Sequence, residues 1–176
     1  MEPSTALTLL TNIWNFIRKL FKRRNGPKKS LVIQPVTNMV FGRYALWWST
    51  ANRGDQPGMQ IVGDFYVSNA TNEPRLITAV VLTQRYRAYR LIPRRRRILG
   101  DILLRAPDSN VHGNYPILPR ATTSGRAMWF AFPPFTESGR EFSARVCFID
   151  SVGERHWTPR FRWYDIKTMA RTHTIG

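Results

Sequence analysis

At 176 residues the chain is long enough for one domain with a full-sized core plus an extension. It carries 27 Lys and Arg against 11 Asp and Glu, a formal net charge of +16 at pH 7, which favours polyanionic partners, either nucleic acid or an anionic lipid surface. The single cysteine, Cys147, excludes an intrachain disulfide and a cysteine-based metal cluster, and suits a reducing compartment.

Only five of the basic residues are lysines, and four of these lie between residues 19 and 29. The remainder are arginines, whose planar forks bind phosphate and carboxylate bidentately and stack on aromatic rings. A GC-rich genome also inflates arginine, so the count alone assigns no partner.

Residues 5–25 (TALTLLTNIWNFIRKLFKRRN) sort into two faces when wound at roughly 100° per residue. Thr8, Thr11, Asn12, Asn15, Arg18, Lys19, Lys22 and Arg23 share the polar sector, and Leu10, Ile13, Trp14, Ile17 and Phe21 belong to the apolar one. Ser4 or Thr5 caps the start, and Asn25-Gly26-Pro27 ends it. The pattern predicts an N-terminal amphipathic α-helix lying in a membrane interface. Leu10, Ile13, Trp14, Ile17 and Phe21 insert, while Arg18, Lys19, Lys22, Arg23, Arg24, Lys28 and Lys29 face anionic headgroups. The segment is a poor signal peptide, because its charges follow the apolar part, and the polar interruptions make it a poor transmembrane span. An organelle transit peptide and a helix docked on its own domain are the alternatives.

A short basic linker, Asn25 to Ser30, follows, and the hydrophobic period then changes from 3.6 to 2. Strands are predicted over 31–36, 43–50, 59–68, 75–87, 88–104 with a break, 126–132, 141–150 and 156–164. Turn chemistry separates them at 52–58, 69–74 and 107–113. Seven or eight strands at this spacing predict an all-β fold, an immunoglobulin-like antiparallel β-sandwich over residues 31–166, with 1–30 as helix and linker and 167–176 as tail. In the segment 75–87, Ile77, Ala79 and Val81 make a second apolar face that something must cover.

The hairpin 141–164 is the clearest unit. Phe142, Ala144, Val146 and Phe148 alternate inward, and Ser143, Arg145, Cys147 and Ile149 face out. Trp157, Phe161 and Trp163 are predicted to return to the core, with Arg160 and Arg162 joining Arg145 outside. The run Gly63-Asp64-Phe65-Tyr66-Val67-Ser68-Asn69, followed by a hydrophobic strand and the Phe148–Trp157 hairpin, resembles small bacterial immunoglobulin-like sandwiches over about Val40 to Tyr164. The resemblance implies a binding or scaffolding role, which fold alone does not assign.

A second charge cluster, Arg85, Arg87, Arg90, Arg94, Arg95, Arg96 and Arg97, is interleaved with Tyr86 and Tyr89 and predicts a polyanion-binding ribbon projecting from the sheet. Arginine with tyrosine suits phosphate contact with base stacking, and suits anionic headgroups equally. An edge strand protected from aggregation by charge carries the same pattern.

No catalytic constellation is recognisable. His112, His156 and His173 lack ligand spacing, and His156 near Asp150 and Glu154 reads as a surface histidine before a weak ion site. Cys147 and His156 stand nearly across the hairpin, but nothing supplies an orienting group or oxyanion hole. The Asn69-Ala70-Thr71 sequon matters only after secretion. The expectation is a non-catalytic, cytoplasmic, membrane-peripheral adaptor without metal or cofactor. Its partners are an anionic membrane and a protein or anionic ligand. The alternative is a basic nucleic-acid-binding sandwich, including a structural nucleoprotein or capsid-like role.

Overall fold

The computed structural model describes residues 30–38, 42–89, 92–106 and 111–171; for 38, 85–89, 92–94 and 169–171 the backbone alone is described. The predicted helix over 5–25, with Leu10, Ile13, Trp14, Ile17, Arg18, Lys19, Phe21, Lys22, Arg23, Arg24, Lys28 and Lys29, lies outside the described residues.

The described residues are nearly all β. In chain order the strands are β1 (Leu31–Pro35), β2 (Thr37–Asn38), β3 (Arg43–Tyr44), β4 (Leu46–Arg53), β5 (Gln56–Asn69), β6 (Ile77–Tyr89), β7 (Ile92–Arg105), β8 (His112–Gly113), β9 (Thr122–Ala131), β10 (Phe142–Asp150), β11 (Arg155–Trp157) and β12 (Phe161–Asp165). They end in a short helix, α1 (Ile166–Arg171), where the sequence pattern predicts only a tail. Asp165 explains that helix: its carboxylate accepts the Lys167 N–H at 3.0 Å, an N-cap geometry.

Hydrogen bonding runs β5–β4–β12–β10–β6–β7–β9 and returns to β5, closing the sheet on itself. Most pairings are antiparallel; β12 meets β4 in parallel through Tyr164–Trp47 and Asp165–Trp48. Closure leaves two layers facing each other. Phe65 on β5 packs edge-on against Phe148 on β10 at 5.2 Å, and Trp129 on β9 against Trp163 on β12 at 5.6 Å. The Trp129 indole lies over Gly100 of β7 and donates to the Val80 carbonyl oxygen on β6 at 3.3 Å. Phe65, Trp129, Phe148 and Trp163 are fully buried, each contributing roughly 1.5–3 kcal/mol by burial.

Two one-residue irregularities decide which side chains reach the core. On β10, Ile149 pairs with Ala79 but Asp150 pairs with Ile77, so a bulge at Thr78 turns both Ile77 and Val80 inward. This accounts for the second apolar face of that segment without an external cover for Ile77. On the other edge of β10, Cys147 pairs with Trp157 whereas Phe142 pairs with Trp163, so the register slips by one between β11 and β12. The slip falls at Thr158-Pro159-Arg160, where Thr158 takes over the ladder: its hydroxyl accepts the Val146 N–H at 3.0 Å. Trp163 enters the core as predicted, but Trp157 stands on the outer face and is 39% exposed.

Candidate anion-binding face

The outer surface of β7, β6, β10 and β11 follows from register. Arg97 pairs with Thr83, which pairs in turn with Arg145; Leu99 pairs with Val81, Val81 with Cys147, and Cys147 with Trp157. Because side chains alternate along a strand, these residues share one face. Arg95 follows Arg97 two residues back along β7, and Arg155, opposite Ile149, lies on the same side. Arg95, Arg97, Arg145, Arg155 and Arg160 are all solvent-exposed. At the end of β12, Arg162 is exposed too, 3.8 Å from the Glu141 carboxylate.

A recess of about 290 Å³ opens in this face, lined by Thr83, Arg95, Arg145, Trp157 and Arg160. Arg145 is held in place: its Nε donates to the Thr158 carbonyl oxygen at 3.0 Å, and its guanidinium carbon lies 5.3 Å from the Trp157 ring centroid.

The predicted arginine ribbon is thus divided by the pleat. Arg95 and Arg97 reach the outer face, while Arg96 turns to the other side, donates to the Pro133 carbonyl oxygen at 3.2 Å and lies over Phe135 at 5.4 Å. Arg85, Tyr86, Arg87, Tyr89 and Arg94 are described only as backbone of the β6–β7 hairpin, pairing Arg85–Arg95, Tyr86–Arg94 and Tyr89–Ile92; Arg90 lies outside the described residues. The segment forms paired strands, because antiparallel pairing satisfies its backbone polar groups. Thr83 and Trp157 were not legible as site residues, since their position depends on the register slip and not on composition.

The second cluster to form is Asp150, Glu154 and His156, whose possible ligand atoms lie within 4.8 Å of one another. His156 is buried, not on the surface as predicted: turned inward opposite Phe148, it meets Asp150 through Nε2 at 3.2 Å. Asp150 already accepts the Val152 and Glu154 N–H groups on Oδ1, and Arg75 and His156 on Oδ2. With a guanidinium 3.3 Å from that oxygen, the cluster reads as a turn clamp. Burial pushes the Asp150 carboxyl up, but the His156 contact and the Glu154 and Val152 N–H groups outweigh it and hold the group below the ordinary carboxylate range.

Cys147 is buried beside Trp157, and burial pushes its thiol up against the opposing charges of Arg155, Arg97 and Arg145. Among the described residues, no helix is long and apolar enough to cross a membrane.

No protein-family model matches the chain, and no curated protein matches its sequence. Among solved structures it is similar to an uncharacterized β-sandwich protein from Clostridium difficile 630, at 8% identity over 78% of this chain and 87% of that one, with a TM-score of 0.42. A structural-genomics target matches at 8% identity over 77% and 86%, with a TM-score of 0.35. The sporulation control protein Spo0M from Bacillus subtilis matches at 14% identity over 73% and 56%, with a TM-score of 0.34. None of these likenesses assigns an activity.

Proposed function

We propose that this chain is a non-catalytic, polyanion-binding β-sandwich held at the cytoplasmic periphery of an anionic membrane. The N-terminal segment is its anchor, and the arginine face presents it to an anionic or protein partner. The observation that carries the reading is the gathering of Arg95, Arg97, Arg145, Arg155 and Arg160 on one sheet face around exposed Trp157. Each basic residue near an anionic surface contributes roughly 1 kcal/mol, so a face of this kind binds through many weak contacts. In this reading the sandwich is immunoglobulin-like, a fold that offers a sheet face as a binding surface.

Nucleic acid is the second reading, favoured by Trp157 alone: an exposed indole among guanidiniums is what unpaired bases stack on. Co-sedimentation separates the two. The full chain should pellet with phosphatidylserine vesicles, and Trp14→Glu or removal of residues 1–24 should abolish most of that pelleting. Vesicle binding unchanged by the deletion overturns the membrane anchor. Retention of a single-stranded oligonucleotide in place of vesicles selects the second reading.

A further inference from the structure

Thr83 is the residue on the outer face that fold stability does not explain. It is 8% exposed, lines the recess, and its hydroxyl is buried without a hydrogen-bond partner. A buried hydroxyl left unpaired costs about 1–3 kcal/mol. Its outward neighbours along β6, Ala79 and Val81, are apolar and half-buried, so an isosteric valine at 83 would fill the same space without that cost. A hydroxyl there is useful to something that enters the recess.

The rest of the lining says what enters. Arg95, Arg145 and Arg160 supply guanidiniums from three places in the chain, suited to an oxyanion with several acceptor oxygens. Arg145 spends its Nε on Thr158 and is held over Trp157, leaving its other N–H groups to a bidentate acceptor. Trp157 adds a flat, exposed wall. At about 290 Å³ the recess is near the lower end of small-molecule sites, matched to one phosphate with one ring system attached.

Resting on the reading of this face as anion-binding, we propose that the recess is a nucleoside-monophosphate site. The phosphate lies among Arg95, Arg145 and Arg160 and accepts the Thr83 hydroxyl proton in a hydrogen bond; the base stacks on the Trp157–Arg145 pair. The same chemistry comes from a free nucleotide or from the 5′-phosphate end of a strand.

Calorimetric titration of the full chain with AMP, ribose 5-phosphate and a 5′-phosphorylated oligoadenylate tests this. AMP should bind about tenfold or more tightly than ribose 5-phosphate, which lacks the stacking ring. Thr83→Val should weaken AMP about tenfold, and Thr83→Ser, which keeps the hydroxyl, should restore it. The oligonucleotide binding more tightly than AMP assigns the strand end as source; AMP binding as tightly or more assigns the free nucleotide. Equal affinity for AMP and ribose 5-phosphate, no AMP binding at about 1 mM, or equal AMP affinity in wild type, Thr83→Val and Thr83→Ser overturns the site. If heparin binding nonetheless falls in R95Q/R97Q/R160Q, the anionic face stands and only the nucleotide site is lost; if it does not, both fall.

Discussion

Cys147 and His156 lie on opposite sides of the same strand pair. Cys147 is in register with Trp157 and shares the outer face, whereas His156 is in register with Phe148, turns inward and meets Asp150 at 3.2 Å. The two candidates for a thiol–imidazole pair are therefore separated by the sheet itself, although nine positions apart on adjacent strands they read in sequence as near neighbours.

With its thiol pushed up by burial and no imidazole on its face among the described residues, Cys147 should be a slow nucleophile. Alkylation by iodoacetamide at neutral pH should run at least about tenfold slower than that of glutathione, and Cys147→Ala should leave polyanion binding intact. Labelling faster than glutathione, suppressed in His156→Ala, would contradict the non-catalytic reading.

Much of the strand pattern was legible because alternation in a half-buried antiparallel pair is direct. Phe142, Ala144, Val146 and Phe148 are buried as their spacing predicts. What alternation cannot carry is parity across an irregularity. Trp157 and Trp163 are six residues apart and read as one face, yet the slip at Thr158–Arg160 sends one to solvent and the other to the core. Likewise Thr122 to Gly125 belongs to β9 although its polar, small residues carry no strand signal; pairing with β5, Thr122 opposite Ser68 through Gly125 opposite Phe65, makes it a strand. The arginine cluster was visible as composition, but its division between two faces is a property of the pleat.

Acid should unfold the protein through its clamped carboxylates. The N–H groups of Gly139 and Lys167, with the Ser138 hydroxyl, outweigh burial and hold Asp165 low, as the turn holds Asp150. A carboxyl whose folded pKa lies below its unfolded value near 4 adds stability that is complete above about pH 5. That stability is lost as pH falls through the lowered folded value. Urea unfolding should give nearly constant stability from pH 7 to about 5 and a steep decline below about 4. Asp150→Asn should cost about 3 kcal/mol at pH 7, because it removes the buried carboxylate that pairs with Arg75 and hydrogen-bonds His156, and should flatten the acid limb.

Asn69 should behave as a structural residue and not as a glycan acceptor. It is 2% exposed; its amide donates to the carbonyl oxygens of Glu73, Ile117 and Leu118, and its Oδ1 accepts the Thr71 N–H and hydroxyl. Asn69→Ala leaves several of these groups unpaired and should destabilise by about 3 kcal/mol, read as a lower urea midpoint. A midpoint equal to wild type would refute that role.

The charge of the outer face is tested most directly by the salt dependence of heparin binding in the full chain and in R95Q/R97Q/R160Q. For a polyanion-binding face, the variant should bind at least about tenfold more weakly at low salt. Its slope of log affinity against log salt should be shallower by about two to three, one for nearly each guanidinium removed. The same affinity and the same slope in both proteins would contradict the assignment of this face.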